Sequence, residues 1–199
     1  AKARAAGAIE VGMPVPAGSP GEALARSLGY RQRWESWVLE LPAGAEIADQ
    51  PLPQGFSVRE ARPDELDQAY QVVEDAFLEW SVRPRQSLDD WASEIVGRPG
   101  FAPWNLRVAL GPDGRVVGAC HVLIGEGACG YVAKLAVRRD LRNRGLARGL
   151  LADAFTVARA HGATRSELST DSRTGALGLY ERLGMVVTSR WVNLAADLR

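Results

Sequence analysis

Cysteine, histidine and methionine each occur only twice in the 199 residues. The cysteines, Cys120 and Cys129, stand nine positions apart with no second pair beside them, too few for a zinc centre or a disulfide framework. No metal site is expected, and a reduced, cytoplasmic setting follows as the default. Charge of a single sign is also missing. The 24 basic side chains meet 24 acidic ones, so no overall field draws the chain to nucleic acid or to an anionic membrane. No apolar run reaches the roughly 18 residues of a membrane span. The opening AKARAAG is basic but lacks the apolar core of a secretory leader. Two phosphate-binding signatures are absent as well, GxxxxGK[ST] and a GxGxxG after an early strand. What is present is 46% apolar content, enough for one full core and part of a second.

The apolar pattern divides the chain. Leu41 to Gly55, LPAGAEIADQPLPQG, carries turn residues without periodicity and reads as a linker. Beyond it FSVREA alternates as a strand does, and Pro63 opens a helical pattern through Leu66, Ala69, Tyr70, Val73 and Phe77. A short helix follows over SLDDWASEIVG, with Ser87 as its cap and Asp89 and Asp90 in its first turn. NLRVAL and RVVGACHVLIG flank Pro112-Asp113-Gly114, a hairpin signal, and YVAKLAV makes the next strand. The order of elements predicts an α/β fold on a mixed sheet.

After that last strand comes RRDLRNRGLARGLL, Arg138 to Leu151, with five arginines around one aspartate. Leu146, Leu150, Leu151, Phe155 and Ala158 recur at helical spacing, so a helix begins at or just before Gly145 and ends near His161-Gly162. The arginines therefore sit in a strand-to-helix turn. A helix start leaves backbone N–H groups unpaired and carries a positive partial charge. Gly145 and the small Ala147 permit close approach, and Arg138, Arg139, Arg142, Arg144 and Arg148 add positive charge. The expected ligand is a phosphate or pyrophosphate.

At these residues the chain resembles the GCN5-related N-acetyltransferases, whose acetyl-CoA signature Q/R-x-x-G-x-G/A is matched by Arg142, Gly145 and Ala147. A second motif of that family, a tyrosine-bearing helix of the LYERLGF kind, is matched by Leu179 to Met185, LYERLGM. The resemblance covers about Phe56 to Arg199. It implies the acyl-CoA N-acyltransferase fold, acetyl-CoA as co-substrate, and transfer of an acetyl group to a primary amine. It places the cofactor against Leu135, Val137, Arg142, Asn143, Arg144, Gly145, Ala147 and Arg148. The backbone N–H near Val137 would meet the thioester carbonyl, and Tyr180 would protonate the departing sulfur as the catalytic residue. Two departures stand out. Arg173 and Thr174 occupy a place where the family often has asparagine, and Lys134 lies where some relatives carry an acid. Glu126, Glu167 or a water chain are left as candidates for the base.

Internal comparison addresses the first 50 residues. Gly7-Ala8 set on Gly162-Ala163, and Leu28-Gly29-Tyr30 set on Leu183-Gly184-Met185, give one displacement of 155 with no gap. The chain then reads as the C-terminal remnant of a first acetyltransferase-like repeat over residues 1–42, a linker over 43–55, and a complete repeat over 56–199. This layout resembles tandem acetyltransferases of the mycothiol synthase kind. In the remnant Ala25 replaces Tyr180, which assigns catalysis to the second repeat. Some 40 residues bury too little apolar surface to fold alone. Cover for the strand bearing Trp34, Trp37, Val38, Leu39 and Leu41 is expected from the complete repeat, a second copy in a homodimer, or an upstream repeat.

The acceptor is the least defined partner. Residues 60 to 95 hold ten acids against three arginines, a field that suits a cationic small-molecule amine if those acids are free and means little if they line solvated helix faces. Trp80, Trp91 and Trp104 suit either a pocket or the core. His161 reads as a helix C-terminal residue and His121 as structural. Two other classes compete with the enzyme. A CoA-binding regulatory module without turnover is opposed by the retained Tyr180, and a nucleic-acid binder by the neutral charge.

Overall fold

The computed structural model describes residues 7–48 and 51–198. The chain divides into two compact units, one of Ala1–Glu40 with Ser169–Arg199 and one of Leu41–Leu168. Among the described residues they hold eight strands and five α-helices. No helix among the described residues is long and apolar enough to cross a membrane.

The second unit carries β3 (Ser57–Glu60), α2 (Leu66–Leu78), α3 (Leu88–Ile95), β4 (Leu106–Leu110), β5 (Val116–Gly125), β6 (Cys129–Val137), α4 (Leu146–Ala160) and the first four residues of β7 (Arg165–Asp171). β3, β4, β5 and β6 pair antiparallel in sequence order, and β6 pairs in parallel with β7 across the α4 crossover. Pro63 opens a 3-10 turn before α2, where the Glu65 carboxylate accepts from the Arg62 N–H at 2.8 Å and from the Arg59 guanidinium. Ser87 caps α3 by accepting from the Asp90 N–H at 3.1 Å. One sheet face packs on α2 and α3 through Ala69, Val73, Trp91, Ile95, Leu106 and Val108. The other takes α4, whose Leu146, Leu150, Leu151, Ala154, Phe155 and Ala158 are all buried. Gly118 makes that approach possible, since a Cβ there would lie 2.9 Å from Leu150 Cδ1.

The linker is more firmly seated than its composition suggests. Leu41 and Ile47 are buried. Leu52 reaches helix α4 so closely that a Cβ on Gly149 would stand 2.7 Å from its Cδ2. Leu41 ends strand β2, while Ile47 and Leu52, against one small helix residue, dock a segment whose described residues form no helix or strand.

The first unit carries β1 (Glu10–Pro16), α1 (Pro20–Ser27), β2 (Arg31–Leu41), the end of β7, α5 (Leu177–Arg182) and β8 (Val186–Asp197). Its strands lie in the order β1-β8-β2-β7. A displacement of 155 carries β1 onto β7 end for end, aligns the ends of α1 and α5, and aligns the starts of β2 and β8. The same displacement relates left-handed Gly7 to Gly162 and Gly29 to Gly184. β2 and β8 pair antiparallel with Ser36 opposite Trp191, its own equivalent, so the pairing inverts into itself about that point. Glu35 and Arg190, also equivalent, form an ion pair at 2.7 Å beside it.

Candidate functional site

Strand β6 builds one wall of the site through its backbone. The Arg138 N–H donates to the Val117 carbonyl at 2.9 Å, and the register sets Gly118 against Val137 and Cys120 against Leu135. In an antiparallel pair, hydrogen-bonded and non-hydrogen-bonded positions alternate. Val137 and Leu135 are thus non-hydrogen-bonded positions whose N–H and C=O groups face away from β5. On that edge, the parallel pairing with β7 runs only from Cys129 to Val132 of β6. The last residues of β6 therefore present backbone donors on an edge left without a strand partner among the described residues.

The chain leaves β6 through a 3-10 turn, Arg139–Leu141, and enters α4 at Gly145. Asn143 (φ 62°) and Gly145 (φ 83°) are both left-handed, which curls the backbone into a concave turn of the kind that gathers N–H groups. Gly145 serves conformation as much as clearance, because a Cβ there would meet nothing within 4 Å yet would be strained at that φ. It is also the N-cap of α4, and no side chain caps the helix. Ser19 and Ser87 satisfy the starts of α1 and α3, whereas the first N–H groups of α4 stay free for an anion. Arg144 and Arg148 make no ion pair among the described residues, so their charge is available. Arg138 is held by Asp140 at 2.7 Å.

Arg142 faces elsewhere. Its guanidinium donates to both oxygens of Glu79, at 2.9 and 2.7 Å, and its Nε–H donates to the Val137 carbonyl at 3.1 Å. The hydrogen bond from Arg142 holds the Glu79 carboxyl below its ordinary range. Sequence reasoning missed Glu79. It lies 63 residues from Arg142, and an exposed acid at a helix end carries no signal of its own.

Leu135, Val137, Arg142, Asn143, Arg144, Gly145, Ala147 and Arg148 thus gather in the second unit. Tyr180 belongs to the first unit, buried on α5. Ahead of α5, Thr174 accepts from the Ala176 N–H at 3.2 Å and donates to the Asp171 carbonyl at 2.8 Å. Arg173 forks onto Asp171 and stacks 3.8 Å over the Trp34 ring. Both residues shape the turn that starts the tyrosine helix.

The Acetyltransferase (GNAT) family model matches residues 66–185, which include the arginine turn and Tyr180. The chain belongs to this family. Mycothiol acetyltransferases of Salinispora arenicola and Streptomyces coelicolor are similar to it at 33% identity over 182 residues and 29% over 170. These alignments cover 86% and 82% of this chain but 58% and 53% of the relatives, so the chain spans little more than half their length. Among solved structures, a GCN5-related N-acetyltransferase from Sphaerobacter thermophilus matches with a TM-score of 0.80 and 29% identity, over 100% of this chain and 64% of that one. A tandem GNAT protein from the clavulanic acid biosynthesis pathway shares the fold, with a TM-score of 0.72 and 20% identity, over 98% and 66%.

Against the GNAT framework the remaining sequence candidates sort themselves. Six of the ten acids in residues 60–95 are in ion pairs: Glu60 with Arg107, Glu65 with Arg59, Glu74 with Arg83, Asp75 with Arg85, Glu79 with Arg142, and Glu94 with Lys134. Most of the acidic field is therefore neutralised at short range. Glu126 sits in the turn before β6, whose start at Cys129 is roughly 26 Å of strand from Val137. Glu167 pairs with Tyr131, roughly 20 Å from the same point. Neither carboxylate stands at the strand end. Trp91 is wholly buried, Trp104 stacks on His161 at 4.3 Å, and Trp80 packs on Phe77 at 5.3 Å. Burial, aided by the charges of Lys134 and Arg98, pushes His121 down to about 4 and keeps it neutral. The same desolvation pushes the Cys120 thiol far up, so it is an inert core group.

Proposed function

We propose that the protein is an acetyl-CoA-dependent N-acetyltransferase acting on the primary amine of a small-molecule acceptor. The observation that carries this reading is the uncapped start of α4 behind left-handed Gly145, next to the free backbone edge of Leu135 and Val137. A pyrophosphate suits the first, because unpaired N–H groups and the helix dipole both favour an anion. A thioester carbonyl suits the second, because an oxygen gaining negative charge needs a fixed N–H donor. Acetyl-CoA supplies the activated acetyl group. Arg144 and Arg148 add charge to the cradle, Asn143 and Gly145 give it curvature, and Ala147 leaves it open. The acceptor amine attacks the carbonyl carbon as the C–S bond breaks, the amine loses a proton, and the sulfur gains one. Tyr180 is assigned the second proton transfer. A neutral phenol carries a proton that it can give to a departing thiolate. The mycothiol acetyltransferase relatives favour an acceptor of mycothiol-like chemistry.

The expected outcome for Gly145→Glu is loss of acetyl-CoA binding in calorimetry. The substitution places a strained side chain and a negative charge where the pyrophosphate must come closest. Wild-type binding should also weaken as salt is added, since arginines contribute to it. Unchanged affinity in the variant would sink the assignment.

A further inference from the structure

We infer that Glu79 is a positioning residue of the cofactor site: acting through Arg142, it holds the Val137 carbonyl and so fixes the strand end whose free N–H groups meet the thioester. The inference rests on the acetyl-CoA reading above. Arg142 is the first residue of the cofactor turn, and an arginine there would be expected to offer its guanidinium to phosphate. The structure spends that guanidinium differently. The Nη1–Nη2 edge is taken by both oxygens of Glu79 at 2.9 and 2.7 Å, and Nε–H is taken by the Val137 carbonyl at 3.1 Å. A second bidentate anion would have to displace one of these partners. The pyrophosphate is left to the backbone N–H groups, Arg144 and Arg148.

What the arrangement does is set a peptide plane. The Val137 carbonyl is held by Arg142, and the Arg138 N–H of the same peptide is held by the Val117 carbonyl at 2.9 Å. A peptide is planar, so pinning both ends fixes its orientation. The preceding peptide is held through the pairing of Ala136 with Ala119. The Val137 N–H lies in that preceding peptide, and with the following plane pinned as well the strand end cannot twist about the Val137 Cα. Glu79 can anchor this because it closes α2, a 13-residue helix seated on the core by Ala69, Val72 and Val73. The same last turn carries Phe77, whose ring lies 5.6 Å from the Lys134 ammonium on β6. Helix α2 and the end of β6 are thus tied at two points, and only Glu79 acts through a group on the turn.

The test needs no acceptor. In isotope-edited infrared difference spectra of carbonyl-labelled acetyl-CoA bound to the full chain, the thioester stretch should lie below its solution frequency, as a hydrogen-bonded carbonyl does. In Glu79→Gln it should return at least half of the way to the solution value. The calorimetric affinity for CoA, which has no thioester carbonyl, should stay within about threefold. Glu94→Gln, which removes a surface ion pair with Lys134, should leave the band in place. An unmoved band in Glu79→Gln with acetyl-CoA bound overturns the inference alone. A fall of about tenfold or more in CoA affinity without a band shift also overturns it, because the pair would then serve the phosphates. Failure of the wild type to bind acetyl-CoA overturns the underlying reading and the inference with it.

Discussion

Tyr180 concentrates the proposed chemistry in one oxygen atom. Its ring is buried on α5, so a substitution that keeps the ring separates packing from proton transfer. Tyr180→Phe should lower kcat by about 10- to 1000-fold, the range over which general acids contribute, with little change in acetyl-CoA affinity. Steady-state kinetics beside calorimetry check this, and full turnover in the variant would make the tyrosine a packing residue with solvent as proton source. Ala25, which a displacement of 155 sets against Tyr180, is buried too. There the same helix face packs without any hydroxyl. Two other residues, His121 and Trp91, each keep a buried ring nitrogen without a hydrogen-bond partner among the described residues. Burial, with the nearby Lys134 and Arg98 charges, holds His121 uncharged, which fits the structural role its place in an apolar strand suggests.

At the level of elements, the connection from α2 to α3 is fastened from within α2 by the buried Glu74. Glu74 is fully buried within α2, its two oxygens accepting from the Arg83 guanidinium at 2.9 and 2.6 Å and one of them from the Gln86 N–H at 3.0 Å. The Tyr70 hydroxyl donates to the Gln86 carbonyl at 2.6 Å from the same helix. The hydrogen bond from Arg83 holds the Glu74 carboxyl below its ordinary value, so its stabilisation is present above about pH 4.5 and is lost as pH falls through the lowered value. Glu74→Gln should cost about 2 kcal/mol, after discounting for the part-exposed Arg83 end, and lower the melting temperature by roughly 4–8 °C. A thermal shift under 1 °C, read by calorimetry, would count against this role. Such features mark where legibility ends. The α4 helix, its start at Gly145 and the Ser87 cap of α3 are written in local periodicity and capping chemistry, so they can be read from the chain alone. The motif of Arg142, Gly145 and Ala147 is read by resemblance to a family signature, and the signature does not show that Arg142 turns to Glu79 and the Val137 carbonyl. The Glu79–Arg142 and Glu74–Arg83 pairs are not, because an exposed or midhelix acid next to no partner in sequence looks like any solvated charge. The free edge at Leu135 and Val137 was reached by resemblance, and its physical cause, a β6–β7 pairing that stops at Val132, is a matter of register between strands far apart in the chain.

Across the whole molecule, the relation between residues 7–41 and 162–196 decides how the first unit is held. We propose that these are two copies of one β-α-β segment, a reading supported by the coincidence of element boundaries and by the self-inverting pairing about Ser36 and Trp191. In the order β1-β8-β2-β7 each copy's last strand lies between the two strands of the other. β8 therefore takes hydrogen bonds from β1 on one edge and from β2 on the other, and both come from the first 41 residues. Val15 and Ala25 from the N-terminal segment form one apolar cluster with Val192 and Leu194. Neither copy can bury these groups alone, since a segment of about 40 residues offers too little apolar surface to offset its chain entropy. Hydrogen exchange should accordingly be slow across Arg31 to Leu41 and across Val186 to Asp197 together. Removing residues 1–42 should strip both edges of β8 at once. Its amides should then exchange within seconds, and the bared strand and apolar face should drive the truncated chain to associate, visible by light scattering. The core built from α2, α3 and β4 to β6 lies within residues 61–136 and should keep its protection in that truncation. Slow exchange persisting over Val186 to Asp197 after the deletion would mean that β8 is held by something other than its two antiparallel neighbours, and the two-copy account of the first unit would fail.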